Sequence, residues 1–336
     1  MKRVVFHSLF LLLAVVSSFA VSAQDNDKNE PKFKKSKSYS KSYSIGSSDK
    51  VNLSNQFGEM KIMTWDKNEV KVDATIIGKS DEEARAQEIL DRISITDGKD
   101  GNGVSFKTKF ADEGKNDDKN DKEYRKGHRN EGMEINWVVY LPASVTLHAE
   151  HQFGKMIVPD LKGETEVSCK FGELTAGRLT HSAKLNVEFG EAKVEQVTGG
   201  TADIKFSTCT INKLTGEVKS NLEFSQVKLD LDNDARMLTI HNSYSTVYLD
   251  VDKNFSAAYD ISTSHGSFSN KTDFAIKKEG QDDHGYGPHF NENYSGSSGS
   301  GSCKIKIDSS FGEVVLGHDL KVDLSEKRKS KPAKSI

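Results

Sequence analysis

The sequence predicts an all-β protein: a parallel β-solenoid with rungs of about 18 residues and an N-terminal α+β capping module. Three observations predict it. First, an aromatic residue, a Gly and usually an acid return as Phe57-Gly58-Glu59, Phe153-Gly154-Lys155, Phe171-Gly172-Glu173, Phe189-Gly190-Glu191 and Phe311-Gly312-Glu313. Softer copies stand at Phe206-Ser207, Phe224-Ser225, Tyr244-Ser245 and His265-Gly266. Second, the spacings from Phe153 to His265 are 18, 18, 17, 18, 20 and 21 residues, a period too short for each unit to bury its own core. Third, apolar residues alternate on both sides of the phrase, and their phase slips by one within it.

The slip defines the unit. Two residues before the aromatic lie Cys169, Val187, Ile204 and Leu222; three after it lie Met156, Leu174, Ala192, Cys209 and Val227. Period two means a strand with one buried face, and a one-residue slip at a small residue marks a bend or bulge. Each unit therefore reads as strand, corner, strand and turn, with Gly163, Gly177, Gly199 and Gly216 in the turns. Units of this size cannot share a core as identical hairpins, but they can coil so that each strand pairs in parallel with the next rung. The chirality of parallel crossovers favours a right-handed coil. A left-handed hexapeptide helix also has an 18-residue turn, but no six-residue period runs inside these units.

On this reading the aromatics Phe57, Phe153, Phe171, Phe189, Phe206, Phe224, Tyr244 and Phe311 form the structural core. Truncating Phe171 or Phe189 to Ala is then expected to cost about 3–5 kcal/mol. One residue before the aromatic, Lys170, Glu188, Lys205 and Glu223 alternate in charge up one exposed face. These four, with Glu173 and Glu191, are the candidate binding residues. As structure alone, the same ladder is a solvated face that controls register, worth a few tenths of a kcal/mol per pair.

The chain opens Met1-Lys2-Arg3, runs apolar from Val4 to about Ala20 and offers Val21-Ser22-Ala23 before Gln24, the pattern of a secretory signal peptide over 1–23. No second apolar span suggests a transmembrane anchor. Residues 24–43, rich in Lys and Ser, are expected to be a disordered basic leader, and 321–336 a basic tail. A net charge of −3 argues against nucleic acid as a partner. Of three Cys, Cys169 and Cys209 fall at inward positions two rungs apart, too far for a disulfide, and Cys303 is the candidate free thiol.

Residues 44–149 hold the first rung and the capping module. Val70–Ile76 alternates as a strand. Ser80-Asp81-Glu82-Glu83 reads as a capping box that opens an amphipathic helix over 81–92, with Ala86, Ile89, Leu90 and Ile93 on one face. Strands follow near 93–97, 103–110 and 133–141, around a charged loop at 111–132. Such a module would cover the unpaired edge of a solenoid, which would otherwise aggregate. The repeats run over 150–320, with 279–302 expected as a flexible Gly/Ser insertion that stretches the last spacing to 46 residues.

No catalytic or metal-binding constellation emerges, and no cofactor is implied. His284 and His289 beside Asp282 and Asp283, and the pair His148 and His151, lack metal-ligand spacing. Glutamates recur at one repeat position, whereas an active site is needed once.

The string Trp65-Asp66-Lys67-Asn68-Glu69-Val70-Lys71-Val72, the helix after it, and Val138-Val139-Tyr140-Leu141-Pro142-Ala143 leading into Phe153-Gly154 resemble the bacterial adhesin-like ("putative adhesin") domain family. That family is of unknown function, of the Bacteroidetes type, and related to the head domains of autotransporter adhesins. The resemblance covers roughly 45–320 and implies an envelope β-solenoid with no catalytic residues to carry over.

The expectation is an exported, non-enzymatic protein of the periplasm or outer cell surface that binds a cell-envelope protein or a glycan. A carbohydrate-active enzyme on the same fold, or a self-associating structural envelope protein, is the alternative.

Overall fold

The computed structural model describes residues 30–111, 130–181, 183–280 and 290–324. The predicted signal peptide, loop residues 112–129, the histidines at 284 and 289, and tail residues 325–336 lie outside these.

Wherever apolar residues alternate, strands form. The N-terminal part contains β1 (Phe33–Ser44), β2 (Lys50–Thr64), β3 (Glu69–Ser80), helix α1 (Glu83–Asp91), β4 (Ile93–Asp100), β5 (Gly103–Phe110) and β6 (Gly132–Leu141). The repeats supply β7 (Thr146–Val158), β8 (Thr165–Lys170), β9 (Glu173–Leu179), β10 (Ala183–Glu188), β11 (Glu191–Lys205), β12 (Thr208–Glu223), β13 (Gln226–Ser243) and β14 (Thr246–Val251). The C-terminal part adds β15 (Ala257–Ser264), β16 (Ser267–Asn270), β17 (Ala275–Lys278), β18 (Asn291–Ser298), β19 (Cys303–Ser310) and β20 (Glu313–Gly317). Apart from α1, the regular structure of the described residues is all β.

Within the repeats every pairing is parallel and follows the sequence period: Val187 lies beside Cys169 and Ile204, and Ala192 beside Leu174 and Cys209. The strands are not free-standing rungs, however. β7 pairs with β8 before its corner and with β9 after it; β11 pairs with β9 and then with β10. The series β7–β8–β10–β11–β9–β7 thus closes a five-strand parallel barrel. The cause is local: β7 and β11 run through their bends unbroken, so each belongs to two ladders.

Four expectations are corrected. The leader is ordered from Phe33: β1 pairs antiparallel with β3 along its whole length. Its alternating Ser and Lys suit an outer edge, where lysines discourage further pairing, and the Tyr39 and Tyr43 hydroxyls both donate to Asp97. The capping box does not form, because Ser80 is the buried last residue of β3. Glu82 is the N-cap, without a side-chain cap, and the Ser80 hydroxyl accepts from the Glu82 amide at 3.2 Å. The helix still buries Ala86, Ile89 and Leu90.

The third correction concerns the Gly/Ser insertion. Its described part holds β18, which pairs antiparallel with β15 and β17 and covers that edge. The fourth concerns rung order. β19 lies between β13 and β15, parallel to both, and β20 between β14 and β16. The Phe311 rung therefore sits between the Tyr244 and His265 rungs, although it comes last in the chain.

At the other end β5 and β6 extend the two halves of β2 in parallel, then β4 and β3 add antiparallel. One apolar cluster runs unbroken from Ile45 to Leu316, so the cap and the repeats share a core. Cys169, Cys209 and Cys303 are free and buried in it. Burial pushes the first two thiols up to about 12 and Cys303 up to about 11, so Cys303 is no reactive surface thiol.

Candidate binding surface

The aromatics that the sequence placed in the core stand outside it. Alternation alone would turn position zero inward, in step with Cys169 and Val187. Instead the backbone enters the left-handed region at every corner, with φ between 49° and 62° at Phe57, Phe153, Phe171, Phe189, Phe206, Phe224, Tyr244, His265 and Phe311. That conformation costs a bulky residue about 1–2 kcal/mol and throws the ring out of the sheet. From Phe153 to Phe311 the seven repeat aromatics are 40–51% exposed.

The next residue explains how the corner closes. In one group it is Gly because the neighbouring corner passes too close for a side chain. A Cβ on Gly154 would lie 1.8 Å from the Gly58 carbonyl oxygen, and one on Gly172 would lie 1.9 Å from that of Gly154. In the other group it is Ser, and the hydroxyls form a buried ladder. Ser207 Oγ accepts from the Gly190 amide at 3.0 Å, Ser225 Oγ from Ser207 at 3.2 Å and Ser245 Oγ from Ser225 at 2.9 Å. The softer copies of the phrase are thus a second way of closing the same corner.

Stacked corners make a spine. In spatial order it reads Phe57, Phe153, Phe171, Phe189, Phe206, Phe224, Tyr244, Phe311, His265 and Phe290, with centroids 4.6–5.1 Å apart and planes within 14° of parallel. Phe110 closes the first end edge-on against Phe57. Parallel rings touch at about 3.5 Å between planes, so each must be slid by about 3.4 Å from its neighbour. Solvent therefore meets ring edges and the part of each face that the slide leaves open.

The seven most exposed corner rings present roughly 650 Å² of continuous aromatic surface, taking about 200 Å² for a free aromatic side chain. The largest apolar patch on a typical monomer is about 300–600 Å².

Charged columns flank the spine. On one side Lys170 pairs with Glu188 at 3.0 Å and Lys205 with Glu223 at 3.4 Å, all four half-exposed. On the other, Glu173 and Glu191 are register neighbours and Lys193 pairs with Glu191 at 3.0 Å. The structure thus brings all six predicted binding residues alongside the aromatics.

Phe110 and Phe290 extend the spine without belonging to the phrase, and only their aromatic character could have marked them.

Elsewhere, His148 Nδ1 approaches Glu166 at 3.0 Å and its Nε2 approaches Glu150 at 3.2 Å, while Lys184 pairs with Glu166. Lys184 first, then His148, holds the Glu166 carboxyl below the usual carboxylate range. They line a shallow cleft of about 330 Å³ as one more cross-rung charge ladder. His151 is fully buried, its Nε2 3.0 Å from the Gly58 carbonyl oxygen. Among the described residues no group of three or more His, Cys, Asp or Glu could hold a metal ion, and no helix is long and apolar enough to cross a membrane.

No family model and no curated protein matches the chain. Two solved structures do. One is described as a "putative cell adhesion protein" from Clostridium sporogenes: 14% identical, covering 85% of this chain and 100% of its own, with a TM-score of 0.27. The other is described as a "putative adhesin" from Bacteroides fragilis: 10% identical, covering 84% and 97%, with a TM-score of 0.34. At such scores the reading of this chain rests on its own residues.

Proposed function

We propose that this is an exported, non-enzymatic, adhesin-like protein, a short parallel β-solenoid that engages another component of the cell envelope along its aromatic spine. The coil supports the solenoid part of the reading: corner follows corner at about 5 Å, and the closed five-strand barrel is what two ladders make when strands pass through both. The observation that carries the function is the spine itself. Fold stability alone would favour Gly or Asn at a left-handed corner, yet these corners hold aromatics left half in water.

Ring geometry bears on the partner. A sugar stacks on an open aromatic face at about 4 Å, and rings whose centroids are 4.6–5.1 Å apart leave no room for one between them. A row of edges and an apolar strip suit a protein surface better than a glycan. The charged columns supply a polar rim, and among the described residues no convergent acid–base pair stands over the spine as glycan cleavage would need.

The test is co-sedimentation of the purified chain with the envelope fraction of the cells that make it, comparing wild type with Phe189→Ser/Phe206→Ser. Loss of retention in a variant with unchanged circular dichroism is expected; equal retention overturns the spine as the binding surface. Protease shaving of intact cells, before and after outer-membrane permeabilisation, reads the location.

A further inference from the structure

We propose that the component seated on the spine is a second copy of this chain, related by a two-fold axis between the Phe189 and Phe206 rungs so that the two spines run antiparallel. This rests on the spine being a binding surface and names its partner.

The charge order carries the inference. Along the flanking column the residues are Lys170, Glu188, Lys205 and Glu223, each one rung from the next. Turn that series end for end about its midpoint and every Lys meets a Glu. Lys170 faces Glu223 of the second copy, Glu188 faces Lys205, and the symmetry repeats both contacts. Each copy already holds Lys170 on Glu188 and Lys205 on Glu223. The second copy would close each such pair into a square of alternating charges. The parallel arrangement matches only Lys170 with Glu173 of the second copy: it sets Glu188 against Glu191, and Lys205 and Glu223 against the uncharged Thr208 and Gln226.

The same axis divides the eight rings from Phe57 to Phe311 evenly, four on each side, with His265 and Phe290 continuing the spine beyond Phe311. Rings at one spacing on both copies then meet edge to edge, rung for rung, along this stretch. In the other flanking column Glu191 meets Thr208, Glu173 meets Gln226 and Lys155 meets Thr246, and only the outermost contact, Glu59 with Glu313, sets like charges together. Covering roughly 650 Å² on each copy buries about 1,300 Å² from the rings alone, within the range of specific interfaces. An isologous contact of this kind closes at two copies and leaves no patch for a third.

Charge reversal tests both partner and register. Sedimentation velocity and light scattering on the purified chain at ~1–100 µM should show a dimer. Glu188→Lys alone sets Lys against Lys205 of the second copy, twice per dimer. Lys205→Glu alone sets Glu against Glu188. Each should weaken dimerisation about tenfold or more. Mixed in equal amounts, the two variants should pair with each other at near wild-type strength, because both central contacts then set a lysine of the first variant against a glutamate of the second.

Three results would overturn the proposal: a monomer throughout that range, single variants that dimerise like wild type, or a mixture that stays apart. The Phe189→Ser/Phe206→Ser protein separates this failure from that of the parent reading. A monomeric wild type whose envelope retention still depends on those rings keeps the spine as a binding surface with a different partner. A monomer with ring-independent retention loses both.

Discussion

Replacing Gly172 by Ala tests the close approach of successive corners, and its cost can be worked from the geometry. The added methyl carbon would stand 1.9 Å from the Gly154 carbonyl oxygen, and 3.0 and 3.1 Å from that residue's carbonyl carbon and nitrogen. All three are backbone atoms, so no side chain can swing aside. Relief to about 3.2 Å needs the two rungs to part by about 1.3 Å, on a strand spacing near 4.8 Å. Hydrogen bonds of about 3 Å would stretch beyond bonding reach across that step.

Two or three such bonds at about 1 kcal/mol each, with one ring stack disturbed by about the same, amount to roughly 3–4 kcal/mol. Ala gains back about 0.4–1 kcal/mol by restricting the unfolded chain. The net loss of about 3 kcal/mol should lower the melting temperature by roughly 5–10 °C. Far-UV circular dichroism on heating is the assay. Gly98→Ala, where no atom lies within 4 Å of the new Cβ, is the control. If Gly172→Ala melts within about 1 °C of that control, the close approach is refuted.

Two further predictions concern the core and its pH response. Phe171→Ala should cost only about 1–3 kcal/mol, because half the ring is already in water, whereas Leu185→Ala should cost about 2–5 kcal/mol; urea titrations giving the reverse order would return the spine to the core. Burial pushes His151 below the usual histidine range, against the pull of the Gly58 carbonyl. As pH falls through about 6.5 the unfolded chain therefore takes up this proton first. Stability should drop with falling pH until the folded protein's lower value is reached. His151→Gln should flatten that part of the pH–stability curve, and an unchanged slope would show that His151 does not cause it.

Much of the architecture was legible because period and phase are local signals. The one-residue slip located every corner, and the inward positions on either side, such as Cys169 and Leu174, are buried as read. The side to which the aromatics turn was not legible. Alternation assigns Phe171 to the inside, and only a left-handed φ of 55°, unusual for a bulky residue, reverses it. Lys- and Ser-rich residues 33–43 have the composition of a disordered leader, but such a strand needs only a partner edge, and β3 supplies one far along the chain. Ser80 carried a capping signal that lost to burial at a strand end. The flanking ion pairs were readable because they repeat with the rung. The spine they border was not, since a row of surface rings and a row of core rings spell the same sequence.

The interleaved rung at the C-terminal end bears on how the molecule is completed during synthesis. A ribosome delivers β15 and β16 well before β19 and β20, yet in the finished stack the later pair lies between them and the Tyr244 rung. Until residues 303–317 emerge, the nascent chain holds a slot one strand wide, open on two hydrogen-bonding edges. Such a slot accepts the segment that belongs to it, and equally the same segment from a neighbouring chain. These late strands are therefore a keystone: without them, β15 and β16 have no parallel neighbour to hold them to the stack.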